Sequence, residues 1–178
     1  MDWKSNIAGF KAYLKLEKSL AANSIAAYIK DIEKLVQYLE LSELVIGPEK
    51  VELQHLRGLM QWITEVGLSA TSQARIISGI KAFYKYMVYE DYIKIDPSEL
   101  LETPKTGRKL PEVLSVQEID QLVAQIDLSK AEGERNRAML ETLYSCGLRV
   151  SELINLLISN LYLENGFVKV TGKGNKER

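Results

Sequence analysis

The chain has 178 residues, 46% of them hydrophobic and 26% charged, with a net charge of −1 at pH 7, which suits one large soluble domain or two small ones. Cys146 is the only cysteine and His55 the only histidine, which excludes an internal disulfide and argues against a zinc site or a histidine-based triad. No apolar run approaches about 18 residues and no basic-then-apolar leader is present, so neither a membrane span nor secretion is expected, and a cytoplasmic location is.

The first hundred residues carry four helical patterns. The first runs from about Trp3 to Lys18 with Ile7, Phe10 and Leu14 on one face. The second is expected to start from Asn23 as N-cap and carries Ile25, Tyr28, Ile32, Leu35 and Leu39 as one apolar stripe. Gly47-Pro48 marks a turn, and a third helix is expected over Glu52 to Glu65. Ser69 or Thr71 caps the fourth, which places Ile76, Ile80, Phe83 and Met87 at helical spacing. Four short amphipathic helices with brief connections make a small bundle. Opposite the core, the fourth helix aligns Thr71, Arg75, Ser78, Lys81 and Lys85, and the second shows Asn23, Lys30 and Lys34. Short polar side chains and basic ones in that order can meet phosphates and base edges; the plainer reading is two solvated helix faces. Since the total charge is near zero, any nucleic-acid role rests on where the cations lie. His55, beside Leu56 and Leu59, reads as structural.

Pro97, Pro104 and Pro111 then fall close together among Thr103, Lys105, Thr106, Gly107, Arg108 and Lys109, a basic and extended connector. It is either a plain solvated linker or a strap against phosphates. Ser115-Val116-Gln117-Glu118 has the form of a capping box opening a helix with Ile119, Leu122, Val123 and Ile126. Ser129-Lys130-Ala131-Glu132 repeats it before a helix that includes Met139, Leu140, Leu143 and Tyr144. That helix is expected to stop at Gly147, and Leu153, Leu156 and Leu157 start another reaching Ile158, so Arg149 sits at a corner held from both sides. Asn165-Gly166 signals a type I′ turn joining Leu161-Tyr162-Leu163 to Phe167-Val168-Lys169-Val170-Thr171, and Lys173 follows at a glycine-flanked end.

The phrases Gly147-Leu148-Arg149-Val150-Ser151-Glu152-Leu153 and Gly172-Lys173-Gly174-Asn175-Lys176-Glu177-Arg178, in this order with Lys173 24 positions after Arg149, resemble the tyrosine site-specific recombinases of the phage integrase family, most of all the Xer subgroup that resolves chromosome dimers. The resemblance implies a mainly α fold: an N-terminal four-helix core-binding (SAM-like) bundle over residues 1–102, a linker over 103–114, and a truncated α+β catalytic domain with a β-hairpin over 115–178. It implies Arg149 and Lys173 as catalytic residues, with Lys176 as a rival for the lysine role. Glu152 either orients Arg149 or caps its helix. DNA contacts are implied for Asn23, Lys30, Thr71, Arg75, Lys81, Lys85, Lys105, Arg108, Lys109 and Lys176.

The implied reaction is transesterification of duplex DNA through a 3′-phosphotyrosine link, without cofactor or metal, by a homo- or hetero-tetramer of full-length subunits. A guanidinium gives paired donors to the non-bridging oxygens of a phosphorane-like state, and a lysine protonates the departing 5′ oxygen. The family's His-x-x-Arg segment, its further His or Trp and its tyrosine nucleophile have no counterpart here, so the 178-residue chain is expected to be a fragment that binds DNA without cleaving it. Two other readings stand beside the enzyme: a non-catalytic DNA-binding module regulating a full-length recombinase, and a helical protein–protein adaptor.

Overall fold

Four helices, α1 (Trp3–Leu16), α2 (Ala22–Leu41), α3 (Leu53–Glu65) and α4 (Ala70–Tyr89), build the first of two units in the computed structural model, which describes residues 2–107, 110–172 and 176–178. The units meet in sequence between residues 108 and 109. Asp2 opens α1 by accepting from the Ser5 N–H at 3.2 Å. The apolar stripes of α2 and α4 close on each other, burying Ile32, Leu35 and Leu39 with Ile76, Ile80, Phe83 and Met87. Each side chain buried this way contributes roughly 1.5–3 kcal/mol relative to exposure. Phe10 of α1 meets Phe83 edge-on at 5.4 Å, and the Tyr84 hydroxyl donates to the Pro48 carbonyl at 3.3 Å, so a polar group in this core is satisfied.

Several local expectations are corrected here. Asn23 is not the N-cap of α2: the helix starts at Ala22 after Ala21, which gives no side-chain cap, and Asn23 is left exposed on its first turn. At α4 the hydroxyl of Ser69, not that of Thr71, accepts from the Ser72 N–H at 3.3 Å. Glu52 lies just outside α3 as its cap, and His55 Nδ1 accepts from the Glu52 N–H at 3.0 Å, which spends that ring nitrogen on the helix end.

The second unit contains α5 (Val116–Ala124), α6 (Gly133–Cys146), α7 (Val150–Ile154) and the antiparallel strands β1 (Leu161–Tyr162) and β2 (Phe167–Val168). Leu161 faces Val168 and Tyr162 faces Phe167, whose rings stack at 4.6 Å. Ser115 caps α5 reciprocally with Glu118: the hydroxyl accepts from the Glu118 N–H at 3.3 Å and the carboxylate from the Ser115 N–H at 2.7 Å. The second capping box does not form. Ser129 donates its N–H and hydroxyl to Asp127 instead, and α6 begins four residues later at Gly133. The helix expected to reach Ile158 ends at Ile154, and a separate 3₁₀ turn covers Ile158–Asn160. The hairpin turn is not type I′, because Leu163–Asn165 form a 3₁₀ turn and only Gly166 of the Asn165-Gly166 pair enters the left-handed region, at φ 72°. The second strand ends early as well. Lys169 donates its N–H to Asn160 and Val170 exchanges both backbone hydrogen bonds with Arg178, at 2.8 and 2.9 Å. Leu122, Met139, Leu140, Tyr144, Ile154 and Ile158 are exposed, so the apolar faces of this unit are only partly covered.

Candidate functional site

In the second unit the site grows from a helix stop and a helix start. Gly147 takes φ 56°, which costs a residue without Cβ nothing, and ends α6. Two residues later Arg149, extended at φ −77° and ψ 152°, is the N-cap of α7. Glu152 ties the corner: one carboxylate oxygen accepts from the Arg149 backbone N–H at 2.8 Å and the other from Arg149 Nη1 at 2.8 Å. It therefore both caps the helix and holds the guanidinium. Arg178 reaches the same carboxylate at 2.7 Å and the Gly147 carbonyl at 3.2 Å, stapling the hairpin end to the corner. Hydrogen bonds from the Arg149 N–H and then from Arg178 pull the Glu152 carboxyl down to about 2, so it stays ionised at any working pH. The Glu152 side chain is 3% exposed and that of Arg149 68%: a buried anion holds a guanidinium at the surface, with donors left for an anionic ligand.

Lys173 lies outside the described residues, as do Arg108 and Lys109. Lys176 is exposed, and its carbonyl accepts from the Gly172 N–H at 2.7 Å.

In the first unit Thr71, Arg75 and Lys85 are exposed along α4, with Lys81 half-buried and donating to the Glu99 carbonyl at 3.4 Å. On α2, Asn23 and Lys30 are exposed, while Lys34 is held over the Trp62 ring at 5.4 Å. Lys105 is exposed beyond the bundle. Arg75 joins the two helices through its ion pair with Asp31 at 2.5 Å.

Two residues of these sites escape a reading by helix faces and motifs. Arg178 sits inside a quoted phrase but shows its role only when the hairpin folds back. Asp31 does carry a signal: it stands three residues after Tyr28 and four before Leu35, an acid in a core-facing row that requires a cation.

The phage integrase N-terminal SAM-like domain matches residues 7–91, and the phage integrase family domain matches residues 112–178. The chain belongs to the phage integrase family. Tyrosine recombinase XerD of Listeria innocua is 38% identical to this family member over 172 residues, 97% of the chain and 58% of the relative. Tyrosine recombinase XerD of Staphylococcus saprophyticus is 41% identical with the same coverage, so the chain spans about 58% of the length of these curated relatives. Two solved structures share the phage integrase fold. A lambda integrase dimer bound to a COC′ core site has a TM-score of 0.75 at 15% identity, over 100% of this chain and 61% of that one. The XerH recombinase bound to difH substrate has 0.70 at 20%, over 97% and 52%.

Proposed function

We propose that this protein takes part in site-specific recombination of duplex DNA, cutting and rejoining strands through a 3′-phosphotyrosine link. The observation that carries the reading is the corner itself: an exposed guanidinium fixed through a buried carboxylate, on the phrase whose resemblance implies the family's first catalytic arginine. In the proposed step a tyrosine hydroxyl oxygen bonds to phosphorus and its proton leaves. The bond from phosphorus to the 5′ oxygen breaks, and that oxygen takes a proton from Lys173. Arg149 donates to the non-bridging oxygens as their negative charge grows, an effect worth about 10²–10³ in rate.

No tyrosine in these 178 residues stands in the context of the family's nucleophile, so they supply duplex binding and the Arg149 corner. DNA contacts are assigned to Asn23, Lys30, Thr71, Arg75, Lys81, Lys85, Lys105, Arg108, Lys109 and Lys176. The unit boundaries proposed are a core-binding bundle over 1–102, a linker over 103–114 and the catalytic portion from 115. The likeness to XerD proteins supports a cytoplasmic role in chromosome-dimer resolution, and so in chromosome partition and the cell cycle, within a tetramer of recombinase subunits.

A nicked suicide substrate tests the reading. The 178-residue chain should bind it and form no covalent adduct. The same protein carried to the length of its relatives should form a 3′-phosphotyrosyl adduct that Arg149→Ala removes. An adduct on the 178-residue chain, or one unaffected by Arg149→Ala, would contradict the proposal. A second reading is that the 178 residues occupy a recombination half-site and regulate a complete recombinase. It predicts inhibition of that recombinase when the 178-residue chain is added in excess.

A further inference from the structure

The cations on the outer face of α4 are not equivalent. Lys85 is free of carboxylate partners among the described residues, and Lys81 meets only a carbonyl. Arg75 instead has Nη1 on the carboxylate of Asp31, which is 2% exposed, while the Arg75 side chain is 53% exposed. Asp31 packs closely against α4 at Gly79. A Cβ on Gly79, one turn beyond Arg75, would lie 2.5 Å from Asp31 Oδ2 and 2.6 Å from its Cβ, so the absence of a side chain there is what lets the carboxylate into the bundle. The carboxylate thus anchors the guanidinium from the protein side. A planar five-donor group has further donors beyond the one on Asp31, and about half of the Arg75 side chain is open to solvent.

A pair with zero net charge is a poor phosphate clamp. It displaces no counterion from the duplex, and the buried anion opposes an approaching phosphate. The edge of a guanine is a different target: two acceptors, O6 and N7, carrying no net charge and suited to two parallel N–H donors. Orientation decides such a contact, and a carboxylate behind the guanidinium supplies it.

Resting on the proposal that α4 faces DNA, we infer that Arg75 reads a guanine edge in the major groove, with Asp31 as its positioning residue, while Lys85 contacts phosphate. Asp31 does not touch DNA in this arrangement. It acts by aiming Arg75 and by cancelling the charge that would draw Arg75 to the backbone.

The test uses the 178-residue chain, a pool of randomised 30-base-pair duplexes for selection, and the salt dependence of binding to the selected duplex. Wild type should select a site with one G·C pair that Arg75→Gln and Arg75→Lys no longer distinguish, a loss on the order of 10–100-fold in discrimination. Arg75→Gln should leave the slope of log affinity against log salt unchanged, whereas Lys85→Gln should reduce it by about 0.9. Asp31→Asn should lower discrimination and steepen the slope by about 0.9, because Arg75 then behaves as a free cation. A purely structural Asp31 would shift only the melting temperature. Asp31→Asn combined with Arg75→Gln keeps the test valid if the single Arg75 variants unfold, and should match wild type in slope.

If Arg75→Gln lowers the slope as Lys85→Gln does, or if wild type selects no base preference at all, this inference is overturned while DNA binding by α4 stands. If neither variant alters binding, the assignment of α4 to DNA falls, and this inference with it.

Discussion

Asp31 in the helical bundle and Glu152 at the second unit's corner are both buried carboxylates holding an exposed arginine, yet their proton affinities move in opposite directions. Burial pushes Asp31 up from 3.8 to about 6, only partly opposed by Arg75. Glu152 is drawn down from 4.5 to about 2 by the Arg149 N–H and by Arg178. The side chains are equally hidden from solvent, at 3% exposure each, yet loss of solvation is the leading influence on Asp31 and a lesser one on Glu152. Donors differ as well. Glu152 accepts from a backbone N–H and two guanidinium groups, while the cation paired with Asp31 among the described residues is Arg75. A corner needing a permanent anion surrounds it with donors; a bundle that needs one aimed side chain manages with a single pair.

The largest effect belongs to the corner. In the protein at its relatives' length, Arg149→Ala should slow strand cleavage by about 10²–10³, measured as adduct formation on the suicide substrate. A rate within a few-fold of wild type would break the claim that this corner is the better-built anion site. Next comes the weaker pair: Arg75→Met strands the Asp31 carboxylate and should cost the bundle on the order of 3 kcal/mol at pH 8. The cost should shrink near pH 5, where Asp31 takes up a proton. Trp3 and Trp62 both lie in the first unit, so tryptophan fluorescence follows its melting alone. An equal cost at both values would mean Asp31 is not the stranded group.

The pH dependences sharpen the contrast. Asp31 binds its proton more tightly folded than unfolded, so its share of stability is fully present below about pH 4 and is lost as the pH rises through about 6. Asp31→Asn should flatten that stretch of the tryptophan melting profile. Glu152 runs the other way: its share is present above pH 4.5 and lost as the pH falls towards 2, to be seen as faster amide exchange in α7. Matching slopes in the two units would contradict the account of donors. The smallest effect is at the cap of α4, where Ser69→Ala should cost about 1 kcal/mol in the same fluorescence melt.

The bundle and the helix stop at Gly147 were legible because the apolar spacing and the glycine act locally. The Asn165-Gly166 pair does not carry its turn type by itself, because the type depends on how β1 and β2 pair, and here the chain spends four residues, Leu163 to Gly166, between them. Ser129 misled for a related reason: Asp127, two residues earlier, competes for its N–H and hydroxyl. Arg149 and Glu152 could be paired from spacing alone, three residues apart across a helix start. The Arg178 staple joins positions 26 residues apart in sequence and appears only once Val170 and Arg178 have paired.

The salt dependence of duplex binding by the 178-residue chain tests the central claim most directly. The account predicts that log affinity falls linearly with log salt, with a slope of about −0.9 for each phosphate contacted, and that Lys85→Gln removes about one contact. Absence of duplex binding at low salt, or binding that salt does not weaken, would contradict it.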